Sequence, residues 1–463
     1  MRIACHLPAN NLYDEGFGFV LDQLQNRASV GTLFLNAFGD RFPTRLASQE
    51  ALADHGHPRR SRDQPCNQIW FEPPAELLAD LDLDLLVDPD PSSVDFGGCD
   101  VYADLAEYRY ARGVEVHARI LEYALASIDG WQRFCEMDYT GNRTPLPCWR
   151  HPEYRAFWSG LTAHLVANYD LDGIHFGAER NGPLTQSLLW SGRVRAGCFC
   201  EYCLAAAGER RIDPARARDG FRALDALVRG AETLESFPLR LMRLYTHYPE
   251  VLAWERLWTE GRNQAYAGIR DAVHRVKREA KAGWHLWQYT CSLDLIARAS
   301  TDYQEWATFS DYVKPCLYQD VAASRAEGVT GAAYGNRLFR GFPESLIHEY
   351  VNRCVGQQQA ALTGPFEGSF GPAYAGNQSA IIRDELNRSG HPCELWCGIG
   401  VNVQGKHDPA APQLVRDSVE AAISHGADGI VLCREYQEMT FEALDAVGKA
   451  VQRCGLPEQE ASL

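Results

Sequence analysis

The sequence predicts an α/β fold, a single (β/α)8 TIM barrel with enlarged βα loops. Short β-like runs alternate with amphipathic helical stretches nearly throughout, the signature of a parallel sheet joined by crossover helices. The runs number eight, which favours a closed barrel over an open sheet. The nucleotide-binding alternatives lack their motifs. No Gly-x-Gly-x-x-Gly follows the first run, and no Gly-x-x-x-x-Gly-Lys-Ser/Thr loop occurs.

The runs at 3–7 and 33–38 are short and apolar, and 114–121 alternates apolar with polar residues. Residues 173–177 follow Asn168-Tyr-Asp-Leu-Asp, a helix end and an Asp-bearing turn. Residues 284–288, 313–318 and 394–401 continue the series. The run at 429–434 follows His425-Gly-Ala-Asp, again a helix end and a turn. Helical patterns fall between them at 18–27, 101–112, 153–168, 255–282 and 412–425. The remaining length forms insertions at about 39–100, 183–253 and 319–376. All three follow strand C-termini, the side on which βα loops build the active site of a barrel.

The chain has 463 residues, 46% of them hydrophobic and 23% charged, enough for a large core. Its formal charge of −16 argues against nucleic acid or an anionic membrane as partner, since both call for clustered Lys and Arg. The 11 Trp and 20 Tyr either fill the core or offer flat apolar faces for ligands such as sugar rings. Met1-Arg-Ile-Ala-Cys-His-Leu-Pro has no apolar signal region, and no apolar run approaches membrane-spanning length. The expected location is cytoplasmic. Fifteen cysteines is an odd count, so reduced thiols and a metal site are expected rather than a disulfide framework. Nothing points to an organic cofactor.

The strongest local signal is Leu171-Asp-Gly-Ile-His-Phe-Gly-Ala-Glu-Arg-Asn-Gly-Pro-Leu. It delivers Glu179 and Arg180 just past the end of the fourth strand, and a Gly-Pro turn delays the next helix. A carboxylate there lies at the barrel mouth, where acid/base or nucleophilic work is done. The structural alternative is a Glu179–Arg180 ion pair that holds the turn. A second signal is Gly197-Cys198-Phe-Cys200-Glu-Tyr-Cys203. Its three thiolates suit a tetrahedral ion, zinc first, with Cys148 of the preceding loop as fourth ligand and Cys135 in reserve. A site with four sulfurs is structural, because it leaves no open position.

A strand-four glutamate followed within one loop by Cys-x-Cys-x-x-Cys resembles the zinc-containing β-galactosidases of glycoside hydrolase family 42. Cys148 and His151-Pro-Glu-Tyr-Arg are similar to the family's further cysteine segment. Ala118-Arg-Ile-Leu-Glu122, Asp172-Gly-Ile-His-Phe-Gly-Ala-Glu-Arg180 and the cysteines also resemble a little-characterised group of barrel glycosidases. The likeness to family 42 covers about residues 114–205 and aligns Glu179 with the family's acid/base. It implies a small carbohydrate substrate and allows a homo-oligomer, since relatives with this zinc arrangement often assemble. Two departures stand out. Ala178 replaces the family's Asn, and the glutamate of the seventh strand, Glu394, is at its beginning rather than its end.

Glycoside hydrolysis needs a second carboxyl group, about 5–5.5 Å away for retention or about 6.5–9.5 Å for inversion. Glu435 after strand eight ranks first and Asp320 after strand six next, with Glu122 and Glu367 as further candidates. The structural alternative for Glu435 is an ion pair with Arg434 or Arg119. His6, Asn36, His117, Arg119, His175, His285, Trp287 and Tyr318 lie on strands where apolar residues would fill space more cheaply. Such buried polar groups need partners, and as a set near one mouth they fit a hydroxyl-rich ligand, as does Arg180. Trp287, Tyr318, Phe366 and Phe370 are the expected sugar platforms.

The leading reading is a glycoside hydrolase. A non-catalytic carbohydrate-binding barrel that has lost one carboxylate is the alternative. A metal-dependent hydrolase or isomerase barrel ranks below both. It calls for a His-x-His pair or clustered His and carboxylates, and strands one and three offer only His6 and His117.

Overall fold

A computed structural model describes residues 1–39, 55–56, 69–85, 96–122, 128–189, 195–230, 237–355, 370–401 and 411–455. Its barrel strands are β1 (Arg2–Leu7), β2 (Thr32–Asn36), β3 (Glu115–Leu121), β4 (Gly173–Gly177), β5 (Lys281–Leu286), β6 (Tyr312–Pro315), β7 (Glu394–Gly400) and β8 (Gly429–Cys433). All pair in parallel with their sequence neighbours, and β8 returns to β1 to close the ring. The predicted (β/α)8 fold is the observed one.

Local sequence explains many of the joints. Asp100 caps helix Val101–Arg112 by accepting from the Ala103 amide, and Gly113 ends it in the left-handed region. Helices Pro152–Asn168, Pro183–Leu188, Pro214–Arg229, Pro372–Arg388 and Pro412–Ser424 all begin on proline, whose missing amide is no loss there. Outward strand residues such as Ile174 and Phe176 pack under these helices, while alternate residues turn inward.

The clearest boundary differences from expectation fall in two places. The helix expected at 255–282 spans Glu250–Val276, and β5 begins at Lys281. Polar Lys281 looks helical in sequence, but its ammonium pairs with Glu394 at 2.6 Å at the strands' N-terminal end. The sixth strand, expected through 318, ends at Pro315, which has no amide to extend the ladder. The chain then continues towards the mouth with an isolated bridge from Cys316 to Gly398.

The loops after β3 and β4 are knitted together. A hairpin of Cys135–Met137 and Arg143–Pro147 follows β3. Asp138 bridges Gly197, and the Phe199 amide donates to the Met137 carbonyl at 2.7 Å. No helix among the described residues is long and apolar enough to cross a membrane.

Candidate active site

The barrel floor is aromatic. Phe34, Tyr312 and Trp396 come from three strands and stack with centroids 4.5–5.9 Å apart. His117 belongs to this floor. Its Nδ1 lies 3.1 Å from the Tyr312 hydroxyl, and burial, with Lys281, Arg2 and Arg109 adding to it, holds its pKa down to about 3. The expectation that His117 lines the mouth is therefore corrected. It points inward two residues before Arg119, opposite Gly173 at the start of β4.

Above the floor the polar residues meet. Gly177 pairs in register with His285, and a Cβ there would lie 2.5 Å from the His285 Cβ. The glycine thus lets the imidazole fold over β4, where its Nε2 is 3.3 Å from Glu179 Oε1. Glu179 keeps 30% side-chain exposure. Burial pushes its carboxyl up, but His285, Arg325 and Arg434 outweigh that and hold it below the ordinary carboxylate range. His285 shows the converse. Burial opposes its charge, yet the neighbouring Cys316 and Glu179 hold the ring above the ordinary imidazole range.

Arg180 turns away from Glu179. It pairs with Glu122 at 3.2 Å, donates to the Pro147 carbonyl at 2.6 Å and covers the Trp149 ring at 4.2 Å. The Glu179–Arg180 ion pair is therefore not formed. Glu122 also accepts from the Tyr154 hydroxyl at 2.5 Å, so its carboxylate is engaged inside the loop framework rather than at the mouth. Glu435 does form the Arg119 ion pair, at 2.8 Å, and Arg119 also donates to Asn36 at 2.7 Å. Asp320 is buried against Gly400, where a Cβ would lie 1.9 Å from its Oδ1. Trp287 is half-buried beside Tyr289, with ring centroids 4.4 Å apart. The Tyr318 and Phe370 rings are buried, packed on Arg325 and Tyr374 respectively; neither presents an open platform. Phe366 and Glu367 lie outside the described residues.

Two inward residues, Lys314 of β6 and Cys316 just past its end, escaped the sequence reading. The buried Lys314 ammonium donates to Cys316 Sγ at 3.2 Å and to the Tyr318 hydroxyl at 2.9 Å. Cys316 Sγ lies 3.4 Å from His285 Nε2. Burial raises that thiol, but His285 and Lys314 outweigh it and bring it down to about 6. The available signal was the alternation Tyr312-x-Lys-x-Cys-x-Tyr318, a period of two that puts all four on the inner face.

The four predicted cysteines converge. Cys148 Sγ is 3.5 Å from both Cys203 and Cys200, and all four sulfurs lie within 4.8 Å of one another. The Cys200 and Arg150 amides donate to Cys198 and Cys148 sulfurs at 3.4 Å. A tetrahedral zinc with bonds of about 2.3 Å sets its sulfurs about 3.8 Å apart, so the donor set fits such an ion. A second metal-competent group is His6, His175 and His285, all buried. Burial, reinforced by neighbouring cationic groups, holds His6 and His175 well below the ordinary imidazole range.

No family model matches the chain, and no curated protein matches it. Solved structures do. The PgaB (BpsB) glycoside hydrolase domain from Bordetella bronchiseptica superimposes with a TM-score of 0.51 and 13% identity, covering 100% of this chain and 99% of that one. A β-galactosidase from the psychrophilic Marinomonas ef1 gives 0.52 and 11%, covering 100% of this chain and 61% of its own. The polyextremophilic β-galactosidase from the Antarctic haloarchaeon Halorubrum lacusprofundi gives 0.51 and 11%, with 99% and 58% covered. This chain thus spans about three fifths of either β-galactosidase. At these identities the shared property is the fold.

Proposed function

We propose that the protein is a glycoside hydrolase acting on a small glycoside or oligosaccharide. Glu179 is the general acid/base, and Glu435 or Asp320 is its partner carboxylate. The observation that carries the reading is the placement of Glu179. It stands past the C-terminal end of β4 with its side chain 30% exposed and a histidine on its carboxylate, the usual position for working groups in this fold. That solved structures of like fold are described as a glycoside hydrolase domain and β-galactosidases supports the same choice.

Cleavage of a glycosidic bond needs a proton for the leaving oxygen and a carboxylate for the developing cation. The Glu179–His285 hydrogen bond keeps a proton beside the mouth. Glu435 is oriented by Arg119, and Asp320 is held by the Val321 amide at 3.0 Å and by Gly400. Zinc on Cys148, Cys198, Cys200 and Cys203 would brace the loops that carry Glu179 and supply no chemistry.

The Glu179→Gln variant is expected to lose at least about 100-fold in turnover of an aryl glycoside, with unchanged circular dichroism and melting temperature. Undiminished turnover refutes the assignment. One observation favours a non-catalytic carbohydrate-binding barrel instead, namely that Glu435 is already ion-paired. Sugar binding by the wild type without hydrolysis of any glycoside above background would select that alternative.

A further inference from the structure

Below Glu179 lie two imidazoles that the glycosidase reading leaves without a task, His6 and His175, beside His285, which meets Glu179. His6 on β1, His175 on β4 and His285 on β5 have ring centroids 5.6, 5.8 and 6.3 Å apart. One nitrogen of each lies within 4.8 Å of one on each of the others. We propose that these three histidines form a binding site for a divalent first-row transition ion, zinc by preference, separate from the four cysteines and adjacent to Glu179.

Proton bookkeeping supports the site. His6 Nδ1 faces the Arg434 carbonyl at 3.0 Å. A carbonyl only accepts, so Nδ1 carries the proton and Nε2 presents a lone pair. The Tyr312 hydroxyl donates to the Ile174 carbonyl at 3.2 Å, which leaves its oxygen to accept from His175 Nδ1 at 3.3 Å. His175 Nε2 is therefore also a bare lone pair. Both Nε2 atoms are fully buried and have no hydrogen-bond partner. Buried ring nitrogens in native proteins are nearly always satisfied. Two that are not, beside the His285 ring, match metal ligands that are each oriented through their other nitrogen.

The donor set names the ion. Three imidazoles with an open position are a zinc arrangement, and imidazole nitrogen also suits iron, nickel and copper. An ion bound at about 2.0–2.1 Å draws its nitrogens to about 3.4 Å apart, a modest inward rotation from the observed spacing. The nearby cations are already engaged. Lys314 donates to Cys316 and Tyr318, and Arg119 to Glu435 and Asn36. Glu179, 3.3 Å from His285 Nε2, is placed to complete the shell or to accept a proton from bound water.

The test is a metal count on folded, full-length protein. After chelator treatment, loading with zinc and dialysis, elemental analysis compares wild type with His175→Gln and Cys200→Ser. The site predicts an ion that His175→Gln loses and Cys200→Ser retains. The proposal is overturned if no bound ion depends on His175. Tyr312→Phe is expected to weaken that ion about 10–100-fold by freeing His175 Nδ1, without affecting the ion held by cysteine. Should His175→Gln fail to fold, X-ray absorption on cobalt-loaded wild type decides. Imidazole scattering from a cobalt shell rich in nitrogen supports the site, and a shell of sulfur alone overturns it. None of these readings depends on glycosidase activity, so failure of either proposal is recognised separately.

Discussion

Glu255 shows how a single residue maintains the mouth. It lies in helix Glu250–Val276 and accepts from the Leu184 amide at 2.8 Å, against Gly182 in the turn that follows Glu179. Burial pushes its carboxyl up to about 7, above the ordinary carboxylate value near 4.3. The sign follows from linkage. A raised folded-state value favours folding below the unfolded value, and that contribution is lost as pH rises through about 7. Glu255→Gln is therefore expected to gain about 1–3 kcal/mol relative to wild type at pH 8, and little at pH 4. Urea unfolding at both pH values measures it, and an equal change at both would count against this account. Arg119 and Glu435 illustrate the opposite case, since each of these buried charges is made tolerable by the other.

At the scale of elements, inward strand positions decide which side chains reach the mouth. Gly177 is required by the His285 Cβ that would lie 2.5 Å from a methyl group there. Gly177→Ala is expected to cost about 1–3 kcal/mol through overpacking and to displace His285 from Glu179. Denaturant unfolding and turnover measured together check both parts, and a variant with full stability would contradict the close approach. Much at this scale was legible in the sequence. Each predicted strand has its counterpart, because apolar runs, Asp and Gly turns and helix-starting prolines are local signals. Lys281 and Pro315 mark where legibility fell short, since one is fixed by a distant Glu394 and the other by a missing amide.

At the scale of the molecule, the cysteine cluster ties the excursion after β3 to that after β4, the loop that carries Glu179 past the strand end. Ligand binding to a folded site contributes directly to folding stability. Chelation or Cys200→Ser is therefore expected to raise hydrogen exchange in residues 128–150 and 195–209 on the order of tenfold or more, with the barrel strands little affected. Exchange that rises uniformly, or not at all, would remove the bracing role.

The sequence by itself determined the barrel and the position of Glu179 at its mouth, and it ranked Cys148 ahead of Cys135 as companion to the Cys-x-Cys-x-x-Cys segment. All three follow from local periodicity, strand ends or ligand spacing. Only the tertiary structure decided the partners. It sent Arg180 to Glu122 rather than Glu179, paired Glu435 with Arg119, lowered His117 to the floor and gathered His6, His175 and His285. No spacing along the chain encodes those pairings. They arise from the stagger between neighbouring strands, which depends on how the closed ring packs as a whole.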